Sequence, residues 1–156
     1  MNKIMITSIL CMCMIIACNE VNAKTADDIL SEQGTLDLKL LILIDNTTEL
    51  TATLYNNSSA KALVSLLRDE PLTLEMHDYG GFEKVGSLPQ SLPRNDSRIT
   101  TQPGDIILYQ GSEITFYYAE NTWNFTLLGR IDGKTQSELR AIFGSGSITV
   151  TLSLAQ

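Results

Sequence analysis

Aromatic side chains around a glycine pair form the most promising candidate site in this sequence. Tyr79 and Phe82 flank Gly80-Gly81, and a glycine pair allows the backbone to approach a ligand closely. Sites for small ligands are largely built from aromatic surface with a few polar groups. We therefore predict a binding pocket lined by members of one set of residues. The set is Tyr79, Gly80, Gly81, Phe82, Lys84, Tyr109, Tyr117, Trp123 and Arg130.

The alternative interpretation is that these residues are structural. Phe116 and Trp123 would then belong to the core, since large aromatic side chains are commonly buried. Gly80-Gly81 would form only a turn, and the two cations of the set would be solvated. The sequence leaves both interpretations open.

Reaction chemistry is not indicated elsewhere in the chain. His77 is the single histidine, and we interpret it as an ordinary side chain at a strand end and not as a metal ligand. A serine triad would need the same histidine, and no Gly-x-Ser-x-Gly elbow is present to hold the nucleophile. We predict no catalytic residue, no metal site and no cofactor.

The first 18 residues indicate export. Lys3 precedes an uncharged apolar run over residues 4–17, the pattern of a signal peptide. The run is too short for a membrane-spanning helix, which needs roughly 20 residues. It ends in Ile-Ile-Ala directly before Cys18, and this resembles the lipobox of bacterial lipoproteins. The resemblance implies a leader at 1–17 and a lipid on Cys18.

A secretory peptide cut after Ala23 is the alternative, and it would release an unanchored protein. Because Asn19 and not an aspartate follows Cys18, the lipoprotein resemblance favours the outer membrane in a bacterium with two membranes. We expect the polar segment 18–34 to be a flexible tether that reaches roughly 50 Å when extended. The lipid would then provide the contact with the membrane.

Composition excludes several classes of protein. All three cysteines lie at or before position 18, so the domain has no disulfide, no cysteine-ligated zinc site and no thiol nucleophile. The formal net charge is −7, and it becomes −8 when Lys3 is removed with the leader. The lysines and arginines are scattered, which argues against a nucleic-acid surface.

Hydrophobic patterns predict a mainly β domain over residues 35–156, with one interior core. Alternation with a period of two marks the strands, and cap residues mark two helices, one beginning near Asn57 and one at Thr135 with Glu138. Segment 78–104 is predicted to be an irregular loop. The predicted strands are 35–44, 50–55, 72–77, 105–110, 113–119, 124–131 and 147–154.

Four blocks of sequence resemble the bacterial cyclophilin-like fold proteins. They are DYGGFEKVG at 78–86, LPQSLP at 88–93, QPGDIILY at 102–109 and LGRI at 128–131. The resemblance covers about residues 35–155. It implies a closed eight-stranded barrel with a helix over each open end.

The resemblance also limits the expected activity. True cyclophilins carry a Phe-His-Arg segment whose arginine reaches the prolyl nitrogen as amide resonance is lost, and this chain lacks that segment. The missing segment and the aromatic candidate pocket together favour a binding module for a small molecule or a protein, and a divergent prolyl isomerase is the alternative. Because some cyclophilin-like proteins are linked to flavodoxin-type domains, FMN or an electron-transfer partner is a further option. The chain has no glycine-rich phosphate loop of its own.

Overall fold

The computed structural model describes residues 23–155, so the predicted leader and Cys18 lie outside the described residues. The strands are β1 (Thr35–Ile44), β2 (Thr48–Tyr55), β3 (Leu72–Tyr79), β4 (Glu83–Ser87), β5 (Ser97–Thr100), β6 (Asp105–Tyr109), β7 (Glu113–Tyr117), β8 (Thr122–Ile131) and β9 (Ile148–Leu154). The helices are α1 (Ala26–Gln33), α2 (Ser58–Leu66) and α3 (Gln136–Phe143). Within residues 23–155, none of these helices has the length and apolar character needed to cross a bilayer.

Eight strands close into an antiparallel barrel, which confirms the predicted architecture. The ring runs β1, β9, β3, β4, β7, β6, β8, β2 and returns to β1, while β5 pairs with the first half of β8 outside the ring. Pairing of β2 with β8 closes the barrel at Ala52 and Leu54. A Cβ atom at Gly129 would lie 2.3 Å from the carbonyl oxygen of Thr53. Glycine at this position therefore lets the two strands meet.

Two helices contribute to the barrel interior and begin where the cap residues predict. The Asn57 side chain accepts a hydrogen bond from the backbone N–H of Ala60 at 2.9 Å, and Thr135 forms a capping box with Glu138 at the start of α3. Apolar residues of both helices join the interior core. Those buried most completely are Ala60 and Leu63 of α2 and Leu139 and Phe143 of α3.

The third helix, α1, was not predicted, and it corrects the expectation of a flexible tether extending to residue 34. Thr25 caps α1, and the side chains of Ala26 and Ile29 in this helix are buried. The backbone before it also pairs with β5: the N–H of Lys24 donates to the carbonyl of Arg98 at 2.8 Å. Since both apolar burial and backbone hydrogen bonds hold this segment, the chain is docked on the barrel from Lys24 onward.

Docking of α1 creates a second apolar cluster on the outer face of the barrel. Its members are Ala26, Ile29, Tyr55, Ile99, Ile107, Tyr117, Phe125 and Leu127. The prediction of one interior core is therefore incomplete. The wall formed by β6, β7 and β8 is apolar on both faces because α1 and β5 cover its outer side.

The predicted irregular loop over 78–104 contains two strands, β4 and β5. Both are short, and β4 begins with two charged residues, Glu83 and Lys84, that are nonetheless buried. Charged residues at buried positions conceal the alternation by which a strand is recognised. The rest of the segment is fixed locally by backbone bonds such as that from Leu92 N–H to the carbonyl of Gly111, at 2.8 Å.

Candidate functional site

A cavity of about 350 Å³ lies on the outer face of the barrel, at the edge of the second apolar cluster. Side chains alternate between the two faces of a strand, so positions 77 and 79 of β3 face outward together with 113, 115 and 117 of β7. Both strands pair with β4, which lies between them and places Glu83 opposite Tyr79 on one side and Tyr117 on the other. The lining residues are His77, Tyr79, Phe82, Glu83, Val85, Tyr109, Glu113, Thr115, Tyr117, Asn121, Trp123 and Phe125.

Aromatic rings form a continuous wall of this cavity. Phe82 stacks on Tyr117 with ring centroids 6.1 Å apart, and Tyr79 meets the edge of Phe82 at 6.0 Å. Phe125 extends the wall, with its centroid 5.6 Å from that of Tyr117 and 6.2 Å from that of Tyr109. These offset and edge contacts are the favourable arrangements for aromatic pairs, so the wall is built before any ligand arrives.

The structure brings together five of the nine residues predicted for a pocket. Tyr79, Phe82, Tyr109, Tyr117 and Trp123 all line the cavity. Trp123 is 57 % exposed and is not a core residue.

The glycine pair and Phe116 lie apart from this cavity. Gly80 and Gly81 form the turn between β3 and β4, with φ values of +61° and +71°. Phe116 belongs to the barrel interior, where it stacks on Phe143 with centroids 6.0 Å apart. For these residues the structural interpretation applies.

Lys84 points into the opposite face of the wall. Its side chain is fully buried, and its ammonium nitrogen lies 3.0 Å from Asp78 Oδ1. The same nitrogen donates to the carbonyl oxygens of Gly144 at 3.1 Å and Gly146 at 2.6 Å. Lys84 is therefore neither a cavity residue nor a solvated one, and it ties β4 to the segment between α3 and β9.

Arg130 also lies away from the cavity. Its Nε donates to Asp105 Oδ1 at 2.8 Å, and one terminal nitrogen donates to Gln102 Oε1 at 3.0 Å. Asp105 is fully buried, and burial raises the pKa of its carboxyl while the Arg130 guanidinium lowers it. The guanidinium is the cation that compensates this carboxylate.

Polar groups that sequence reasoning missed give the cavity its chemical character. Glu83 is only 7 % exposed, and burial raises the pKa of its carboxyl, against the lowering effect of the Tyr117 and Thr115 hydroxyls. Burial, followed by the neighbouring Glu83, raises the pKa of Tyr117 above its ordinary range. Glu113 lies beside them, raises the pKa of Glu83 further, and is half-buried.

Thr115 contributes an oxygen that has no hydrogen-bond partner. Its side chain is 2 % exposed and lines the cavity. Thr115 Oγ1 lies near enough to Glu83 to lower the pKa of that carboxyl, yet the pair does not meet hydrogen-bond geometry. Among the described residues it is the buried side-chain oxygen or nitrogen left without a partner.

The cavity lining limits which ligands fit. It contains two carboxyl groups, one imidazole and no lysine or arginine. The phosphate of FMN is held in proteins by cations or by clustered backbone N–H groups, so this lining does not suit FMN. It also lacks the guanidinium that prolyl isomerisation by a cyclophilin requires. Within residues 23–155, no group of three or more His, Cys, Asp or Glu side chains is arranged to hold a metal ion.

Comparison with known proteins agrees with this fold. The solution structure of a hypothetical protein from Archaeoglobus fulgidus is similar, with a TM-score of 0.58 and 16 % sequence identity. The match covers 78 % of this chain and 97 % of the archaeal chain. No curated protein matches the sequence. The model of the Cyclophilin-like family matches residues 42–153, which is most of the chain, and this protein therefore belongs to the Cyclophilin-like family.

Proposed function

We propose that this domain is a binding module whose outer cavity takes a small molecule with an apolar body. One observation carries the proposal: six of the ten aromatic residues in the chain converge on a cavity of about 350 Å³. Small-molecule sites have volumes of about 300–1,000 Å³ and are mainly apolar, with a few polar groups that fix orientation. Glu83 and Thr115 supply such polar groups here.

Efficient prolyl isomerase activity is not part of this proposal. Arg130 lies away from the cavity and is engaged by Asp105, and the described residues that line the cavity include no arginine. A protease-coupled isomerisation assay on the purified domain is expected to give the uncatalysed rate. A clear acceleration would favour the alternative of a divergent isomerase.

Trp123 makes binding directly measurable. It is the single tryptophan of the chain and lies at the cavity rim, so a ligand in the cavity is expected to change its fluorescence. Titration with a panel of neutral, cationic and anionic aromatic fragments should yield saturable changes for at least one fragment. Failure of all the fragments, confirmed by calorimetry, would contradict a small-molecule site and leave a protein partner as the remaining binding role.

A variant pair locates the binding. Tyr79→Ala removes one wall of the cavity at a side chain that is 59 % exposed, so the fold is expected to survive. It should weaken binding of the fragments that the panel identifies by about tenfold, which corresponds to about 1.4 kcal/mol. Leu30→Ala is the control, since Leu30 is exposed on α1 and does not line the cavity. Equal affinities in the two variants would place the binding elsewhere.

We further propose that the mature protein is anchored to the cell envelope through a lipid on Cys18, at the outer membrane where a second membrane exists. Only five residues separate Cys18 from Lys24, where docking on the barrel begins. Fully extended, five residues span roughly 17 Å. The proposed anchor therefore keeps the side of the barrel that carries α1 and β5 close to the membrane. The longer tether expected from the sequence would have allowed a greater distance.

Lipid labelling tests the anchor. Cells fed an alkyne fatty acid are expected to incorporate label into the wild-type protein and not into Cys18→Ala. Cys13→Ala is the matched control, because the proposed cleavage removes Cys13 with the leader and the label should remain. Unlabelled wild-type protein in the soluble fraction would contradict the anchor and favour ordinary secretion.

A further inference from the structure

The outer cavity contains a buried carboxyl group without an ion-pair partner among the described residues. Each fully buried charged residue elsewhere in the structure has an opposite charge: Lys84 has Asp78, and Asp105 has Arg130. Glu83, which is only 7 % exposed, makes no ion pair with any described residue. Because an uncompensated buried carboxylate is costly, its position at the cavity marks a place where a bound cation would be stabilised.

Thr115 provides a second and independent indication of a ligand. Its hydroxyl oxygen is buried, lines the same cavity and has no hydrogen-bond partner within residues 23–155. Buried polar groups are hydrogen-bonded in the great majority of cases. Thr115 is paired with Val85, two residues beyond Glu83 on β4, so the two polar groups face the cavity from adjacent strands. A donor between them would satisfy both.

The aromatic wall favours the same class of ligand. The negative face of an aromatic ring attracts a cation, most strongly where water is excluded. Tyr79, Phe82, Tyr109 and Trp123 present this surface, while Glu113 adds a second carboxyl group to the lining. The described residues of the lining include no lysine or arginine.

We infer that the outer cavity binds a small organic ammonium ion with an apolar or aromatic body. The ammonium N–H groups donate to the Glu83 carboxylate and to Thr115 Oγ1, and the body packs against the aromatic wall. The inference rests on the proposed function, since it names the ligand class of the same cavity. It adds a requirement for positive charge that a merely apolar pocket would not have.

Three probes of similar shape separate charge from shape. They are 2-phenylethylammonium, the neutral 2-phenylethanol and the anionic phenylacetate, each titrated against the domain at pH 7 with Trp123 fluorescence and calorimetry as readouts. The ammonium ion is expected to bind at least about tenfold more tightly than the alcohol, because charge-assisted hydrogen bonds are roughly twice as strong as neutral ones. Phenylacetate is expected not to bind measurably.

Variants assign the preference to the two polar groups. Glu83→Gln keeps the shape of the side chain and removes its charge, so the variant should bind 2-phenylethylammonium and 2-phenylethanol with about equal affinity. Thr115→Val should reduce the preference for the ammonium ion several-fold. Glu49→Gln, on the exposed face of β2, is the matched control and should leave the preference unchanged. Thr115→Val also keeps the test valid if Glu83→Gln does not fold.

The outcomes separate this inference from the proposed function. If 2-phenylethanol binds at the cavity as tightly as the ammonium ion, or if Glu83→Gln keeps the preference, the inference is wrong while the binding module stands. If none of the three probes and no member of the fragment panel binds, both are wrong. A preference lost in Glu83→Gln and kept in Glu49→Gln supports both.

Discussion

The ammonium nitrogen of Lys84 lies 3.0 Å from Asp78 Oδ1, and it is the carbonyl oxygens of Gly144 and Gly146 that take its remaining hydrogen bonds. The Tyr118 hydroxyl donates to the same Asp78 oxygen. The Tyr118 hydroxyl has the largest effect on the pKa of Asp78, and Lys84 lowers it as well. Together they hold this pKa below its usual range despite partial burial.

Lys84→Met tests this connection by removing the ammonium and keeping the aliphatic volume. We expect a loss of about 2–4 kcal/mol in the free energy of unfolding, because two carbonyls lose their donor and Asp78 loses its cation. Urea unfolding measures the loss. Lys134→Met is the control: that lysine is partly exposed and 4.0 Å from Glu138, so its removal should cost under about 1 kcal/mol. Similar costs for the two variants would contradict a structural role for Lys84.

Glu83→Gln is expected to stabilise the unliganded protein at neutral pH. The pKa of Glu83 is raised above 4.5 in the folded state, so the folded protein holds this proton more tightly than the unfolded chain. The protonated Glu83 carboxyl therefore stabilises the folded state fully at a pH below its pKa in the unfolded chain. This contribution is lost as the pH rises through the pKa that Glu83 has in the folded protein. Glutamine has no such loss. The advantage of Glu83→Gln should be near zero at pH 4 and reach about 1–3 kcal/mol at pH 8. Urea unfolding across this range checks it, and an advantage that does not depend on pH would contradict the raised pKa.

Gly129→Ala tests the closure of the barrel. The new Cβ would meet the Thr53 carbonyl oxygen at 2.3 Å, so the β2 backbone must shift, at a cost of about 2–3 kcal/mol. At Gly86 the nearest atoms are Met76 Cγ, at 2.8 Å, and the Glu75 carbonyl oxygen, at 3.3 Å, so the new Cβ would meet the backbone less closely than at Gly129. Gly86→Ala should therefore lower the melting temperature less than Gly129→Ala. A larger decrease in melting temperature for Gly86→Ala would contradict a close contact between β2 and β8 at Gly129.

Arg130→Met leaves the buried Asp105 carboxylate without its cation. We expect a loss of about 3 kcal/mol at pH 7, within the range for breaking a buried ion pair. Without the guanidinium, the pKa of Asp105 rises further, so the protonated form persists to higher pH and the loss shrinks as the pH is lowered. Denaturant melts at pH 5 and pH 7 measure this change. Arg98→Met, at an exposed position of β5, is expected to cost little at either pH.

Ile29→Ala distinguishes a docked α1 from a flexible segment. Ile29 is 5 % exposed in the second apolar cluster, so the truncation should cost about 2 kcal/mol. Leu30→Ala, at the adjacent exposed position, should cost under about 1 kcal/mol. A negligible cost for Ile29→Ala in thermal melts would restore the flexible tether.

Strong local signals in the sequence predicted most of the barrel. Alternating apolar residues in β1 and β9 have the period of strands, and the cap residues Asn57 and Thr135 mark the starts of α2 and α3. Helix α1 escaped prediction because it presents only Ala26 and Ile29 to the protein, too few to establish a helical period. Strand β4 escaped because charged residues occupy buried positions in it.

The site was predicted only in part for a related reason. Aromatic residues can be recognised by type, and five of the six that line the cavity belong to the predicted set. Glu83 and Thr115 carry no comparable signal, since polar residues are mostly solvated and only tertiary pairing shows which are enclosed. Lys84 was assigned to the pocket because its neighbours in sequence suggested it, but adjacent residues of a strand face opposite ways.

Because side chains alternate along β4, Glu83 lies on one side of the barrel wall and Lys84 lies on the other. An insertion in the turn at Gly80-Gly81 could shift the register of β4 by one residue. The side chain at position 84 would then face the outer cavity, and the side chain at position 83 would face Gly144 and Gly146. The proposed cation site would then carry a lysine, and the segment between α3 and β9 would lose its hydrogen-bond donor. The length of this short hairpin thus determines on which side of the wall each of the two charges lies.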